Sequence, residues 1–281
     1  MPYQSPGVYV EEVASGSAPI AGAGTSTAGF IGIAAAGSGN ATAAADETAA
    51  GNSTSKKTTK AAASKEADSS TPETSILAAV NEVKLCTNFT EFKKFFGDFP
   101  QKDETDTNQL YLAHAVYGFF SNGGTRCYVV KAADIGKALE QFAAIDEIAI
   151  VAAPGITDKS SLDTIAANCK TLGDRFAILD SPNETDLSST ATTRSNSDYA
   201  ALYFPWIQVF DPVAKEAKYV PPSGHMAGIY ARVDTQRGVH KAPANEVVFG
   251  ATGLQYNLSK AKQDGINLGG INCIRSLNGN I

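Results

Sequence analysis

Large apolar residues come in short blocks along this chain, and the spacing within blocks alternates between strand-like and helix-like periods. Residues 25–36 (TSTAGFIGIAAA) set Phe30, Ile31 and Ile33 among small residues and predict a buried strand. Residues 89–96 (FTEFKKFF) predict a short amphipathic helix with Thr90 as N-cap and Gly97 at its end. Residues 107–122 place Leu110, Ala113, Tyr117 and Phe120 on one helical face and stop at Gly123-Gly124. A strand follows at 126–131, then a helix at 134–144, a strand at 147–153, a helix at 158–172 with Asp158 as cap, and a strand at 175–180. Residues 199–210 form a further strand region interrupted by Pro205, and Pro221-Pro222-Ser223-Gly224 opens a helix from His225 to Val233. Strands separated by helices of this length need crossover connections. The pattern therefore predicts an α/β fold with a mainly parallel or mixed sheet and flanking helices.

Two polar stretches break the rhythm. Between positions 37 and 75 there is no Val, Ile, Leu, Phe, Tyr or Trp, so the segment cannot bury enough apolar surface to offset its ordering entropy. It is expected to be an exposed insert. At the start, Pro6-Gly7-Val8-Tyr9-Val10-Glu11-Glu12-Val13 alternates like a strand but has no local partner. Its backbone donors must be satisfied elsewhere in the fold or by another chain. The Gly/Ser/Ala run after it, residues 14–24, suits a tether.

A net charge of -6 argues against direct nucleic-acid binding, which needs a clustered cationic footprint. No apolar run is long enough to span a membrane as a helix, so direct membrane insertion is not expected. Cys86, Cys127, Cys169 and Cys273 are widely spaced and lack metal-ligand or disulfide-framework patterns, which reads as reduced thiols, most of them buried.

Candidate chemistry is sparse. Gly22 to Gly29 resembles a phosphate loop only loosely, because Thr27 stands at the third glycine position and the stretch leads into a strand instead of leaving one. Asp180 and Asp211 fall at predicted strand ends, where open α/β sheets bind ligands, but each precedes a Pro-containing turn. His225 opens a helix, where packing or capping is its ordinary role. An α/β enzyme with a site near Asp180, Asp211 and His225 is the alternative, and it requires the three to converge in one cleft. No catalytic, cofactor or metal site is expected.

Several segments, in order, resemble the contractile tail sheath proteins of phages and phage-like injection systems: PGVYVEEV (6–13), TSTAGFIG (25–32), FFSNGGTRCYVV (119–130), RFAILDSP (175–182), YAALYFPWIQVFDP (199–212), PPSGHMAGIYARVDTQRGVHKAPAN (221–245) and INLGGINCIR (266–275). The resemblance implies a structural subunit, not an enzyme, that polymerises helically around an inner tube and contracts to drive it through a target envelope. The implied partners are further copies of the chain, the inner tube protein, and baseplate and terminal cap proteins. Assembly would take place in the bacterial cytoplasm, within a phage tail or phage-like particle. Residues 6–13 would be an arm pairing with a neighbouring subunit. The implied layout is an arm and tether at 1–24, an α/β body at 25–255 carrying the insert at 37–75, and at 256–281 the start of a C-terminal sheath domain that is incomplete here. A non-contractile baseplate or cap protein is the other structural reading.

Overall fold

The computed structural model describes residues 24–34, 77–101, 106–184, 194–277 and 279–281. The arm at 6–13 and the insert at 37–75 lie outside the described residues. A seven-stranded sheet is built from β1 (Ala28–Ile33), β2 (Val83–Cys86), β3 (Cys127–Ala132), β4 (Ile150–Ala152), β5 (Phe176–Asp180), β6 (Ala200–Phe204) and β10 (Asn272–Cys273), in the spatial order β10-β6-β5-β4-β1-β3-β2. β1 runs parallel to both β3 and β4, and only the edge strand β2 is antiparallel. The chain thus winds outward from β1 in both directions, which puts helices on both faces of the sheet.

One face carries α1 (Phe89–Phe96), α2 (Thr107–Ser121) and α5 (Ser223–Arg237) over Ala28, Phe30, Val129, Ile150 and Ile178. The other carries α3 (Ile135–Ala143), α4 (Lys159–Leu172) and α6 (Lys260–Leu268) over Ile31, Val130, Val151, Ala177 and Leu179. Successive strand residues alternate between the two cores. Burial on both sides is why these strands read as apolar runs. Ile266 and Ile271 join the second core, so residues 260–273 pack on the same sheet as the rest of the body.

Helix starts follow the sequence closely, because short polar side chains satisfy the free amides. Asp134 accepts from the Lys137 N–H at 2.9 Å and Asp158 from Ser161 at 2.9 Å. For α1 the cap is Asn88, not Thr90. Its side chain accepts from the Glu91 N–H at 2.9 Å, and Glu91 reaches back to accept from Thr87 N at 2.7 Å.

α2 departs from the expected face. Tyr117 is exposed, whereas Leu112, Ala113, His114, Ala115, Val116, Gly118 and Phe119 are buried. The helix is sandwiched between β1 and α5, so it is covered on more than one side and has no single apolar stripe.

Residues 199–210 are not one strand but two, in different sheets. After β6 the chain passes through a cis Phe204–Pro205 bond into β7 (Ile207–Asp211), the centre of an antiparallel sheet with β8 (Glu216–Val220) and β9 (Ala251–Leu254). Ile207, Val209 and Val220 face the core, while Phe210 and Tyr219 are exposed on the opposite side.

Candidate functional site

Asp180, Asp211 and His225 are all buried, and each makes its own set of contacts. Asp180, at the carboxyl end of β5, accepts from the Ser223 amide at 2.8 Å, the Ser223 hydroxyl at 2.6 Å and the Gly155 amide at 3.2 Å. Its carboxyl therefore caps the first turn of α5 from outside and holds the loop after β4. Gly155, at φ +80, leaves room for the Tyr111 ring, which stands edge-on to Trp206, and the Trp206 Nε1–H donates to the Ser181 carbonyl at 2.9 Å. At the carboxyl ends of β4 and β5, where a doubly wound sheet would receive a ligand, the chain packs its own side chains.

Asp211 ends β7. One carboxylate oxygen accepts from the Val213 and Ala214 amides at 2.9 and 3.0 Å, which makes the β7–β8 turn. The other lies 3.5 Å from His114 Nε2 and 3.4 Å from Lys218 Nζ. His225 lies on α5 with its ring over Gly118 of α2, where an added Cβ would stand 2.4 Å from the imidazole. Among the described residues no hydrogen bond or ion pair joins any two of Asp180, Asp211 and His225. They therefore do not form the acid, base or nucleophile constellation the enzyme alternative needs. Nor, among these residues, does any group of three or more His, Cys, Asp or Glu stand ready to hold a metal, and no helix is long and apolar enough to cross a membrane.

The joint they surround is the α2–α5 crossing. A Cβ on Gly224 would lie 2.2 Å from Ala115 Cα, and one on Gly228 would lie 2.5 Å from the Phe119 carbonyl oxygen. Two glycines four residues apart let the helix backbones touch. Asn122, just past α2, is fully buried and ties this joint to the β9 side. Its amide donates to the Gly118 and Phe249 carbonyls at 2.9 and 3.0 Å, and its oxygen accepts from Phe249 N at 2.9 Å. Sequence reasoning passed over Asn122, for which only its place before Gly123-Gly124 gave a signal.

Burial shifts the titration of these groups in opposite senses. It raises Asp180 from 3.8 to about 6, against the hydrogen bonds from Ser223 and Gly155, and lowers His225 from 6.5 to about 3, with His114 acting the same way. His114 is itself lowered by burial, with Asp211 opposing. The raised Asp180 stabilises the fold fully below pH 3.8, an effect lost as pH rises through about 6. The lowered His225 stabilises it above pH 6.5, an effect lost as pH falls toward about 3. Between pH 4 and 6 the two offset each other. On acidification across that range, Asp180→Asn is expected to lose up to about 1 kcal/mol more per pH unit than wild type, and His225→Gln about that much less. Urea unfolding at several pH values measures both slopes, and identical slopes in all three proteins would contradict the assignment.

The fold and these joints define a doubly wound α/β body with an appended antiparallel sheet, whose buried polar groups hold elements together. Residues 129–281 match the family model for the phage tail sheath protein central domain, and the chain belongs to the phage tail sheath family. A prophage major tail sheath protein of Pseudomonas aeruginosa (strain UCBPP-PA14) is 30% identical over 105 residues, covering 37% of this chain and 27% of that protein. The sheath of an extracellular contractile injection system, PVC, in its contracted state superposes with a TM-score of 0.66 at 23% identity, over 100% of this chain and 65% of that one. The contracted helical sheath of the anti-feeding prophage gives 0.63 at 23% identity, over 99% of this chain and 66% of that one. The chain therefore spans slightly under two thirds of each of these two solved sheath chains, and about a quarter of the prophage protein.

Proposed function

We propose that this chain is a structural subunit of a contractile tail sheath, polymerising helically around an inner tube and shortening to drive that tube through a target envelope. The observation that carries the reading is the sheath family match over residues 129–281. No active site is required for this role. Work is stored as a difference in contact energy between two subunit lattices, multiplied over many copies. A rigid body suits it, and the buried joints around Asp180, Asn122 and Gly224 give one.

Under this reading the chain functions without catalysis or a cofactor. Its partners are neighbouring subunits, the inner tube, and baseplate and cap proteins, and it assembles in the bacterial cytoplasm into a phage tail or phage-like particle. Residues 6–13 pair with a neighbouring subunit through the tether that ends at residue 24. The insert at 37–75 faces outward, and residues 256–281, of which 260–273 pack on the body's sheet, open a C-terminal sheath domain. Its test is deletion of residues 1–15 from the full-length protein. Pelleting of polymer should be abolished, while the monomer melts within about 2 °C of wild type, because the described core begins at β1. Unfolding of the monomer on deletion would return the segment to an ordinary first strand.

A further inference from the structure

The fold brings together two cysteines that the sequence keeps apart. β2 and β3 pair antiparallel in a register that sets Cys86 directly opposite Cys127, at the last rung of the ladder. Residues facing each other on antiparallel strands point to the same side of the sheet, with Cα atoms roughly 4.5–5.5 Å apart. That range falls inside the roughly 4.4–6.8 Å window a disulfide requires. Both side chains are fully buried in the core beneath α1 and α2, and both thiols are free. Cys169 lies in α4 and Cys273 in β10, with their side chains against the opposite core, and neither faces another cysteine across a ladder.

We propose that Cys86 and Cys127 are a latent dithiol, which a low-molecular-weight disulfide converts into an intrachain cross-strand bond pinning the edge strand β2 to β3. One cysteine thiolate attacks the small disulfide, forming a mixed disulfide and releasing one small thiol. The second cysteine thiolate then displaces the other small thiol and closes the protein S–S bond. Two electrons and two protons pass from the cysteines to the oxidant, which leaves as two thiols.

Burial sets the rate. It pushes the Cys86 thiol up to about 12 and holds the Cys127 thiol well above its ordinary value, with a charge on Cys86 adding to the second shift. Neither is a thiolate while the core is closed, so exchange proceeds when the terminal rung opens. That opening is local, because β2 has four residues and only β3 beside it. The bond closes a loop from residue 86 to 127 that contains α1 and α2, and so restrains the helix forming the α5 joint. Its existence does not depend on the sheath reading.

The test is to incubate the purified full chain with glutathione disulfide at pH 8, alkylate it, and map its peptides by mass spectrometry. The expected result is one linkage between the Cys86 and Cys127 peptides and a drop from four titratable thiols to two. The melting temperature should rise by about 5–10 °C, reversed by dithiothreitol and absent in Cys86→Ala. Mapping on the wild-type chain decides the matter even where the variant folds poorly. Mixed disulfides confined to the half-buried Cys273, crosslinks between chains, or a linked protein with unchanged melting would each overturn the proposal.

Discussion

Gly224→Ala is expected to be the most damaging small substitution in the body, destabilising it by about 3 kcal/mol, at the upper end for overpacking. The added methyl would sit 2.2 Å from Ala115 Cα, a backbone atom on α2 that cannot rotate away, so the helices must separate. Separation would loosen the Asp180 bonds at Ser223 and the seat of His225 on Gly118. Gly265→Ala is the matched control. It is also inside a helix, α6, but its Cβ meets nothing within 4 Å. That change should stabilise by about 0.5–1 kcal/mol through helix propensity alone. Denaturant unfolding of both variants measures the contrast, and equal effects would show that the α2–α5 contact is not a close backbone crossing.

Asn122→Ala is expected to cost about 1–3 kcal/mol, because it leaves the Phe249 amide and carbonyl, in a part-buried setting, without the Asn122 amide that now pairs them. Asn122→Asp should be worse at pH 7 than the alanine variant. A carboxylate has no hydrogen to donate and would face the Gly118 and Phe249 carbonyl oxygens at about the distances the amide now holds. Acidification should recover part of the Asp variant's loss by restoring one donor, and chemical unfolding at pH 7 and pH 5 reads this directly. An aspartate as stable as wild type at pH 7 would mean the amide's donors are not what hold the joint.

What could be read from the sequence follows from how each element is buried. α3 buries Ile135, Ala138, Leu139 and Phe142, a helical stripe visible without coordinates. β1, β3 and β5 announce themselves as apolar runs because helices cover both faces. In β8 only Val220 is buried, and in α6 only Ile266, so neither carries a period to detect. Of the face expected for α2, Ala113 is buried and Phe120 packs against the core, but Tyr117 is exposed, since packing on two sides erases the stripe that a one-sided helix would show.

The joints were less legible than the elements. Asp180 and His225 could be marked as unusual, yet nothing local says that Ser223 and Gly118 are their neighbours. Asn122 finds its partner 127 residues away, a relation no local pattern encodes. The facing of Cys86 and Cys127 likewise exists only once the ladder register is set.

The proposed function is that of a sheath that shortens. Its most direct test is electron microscopy of the full-length protein produced with its inner tube and baseplate proteins, before and after a contraction trigger such as urea or acid. The sheath reading predicts helical tubes around a core that convert to shorter, wider tubes with the core exposed. Rings at one end of the tube, tubes of one fixed length, or protein that never polymerises would contradict it.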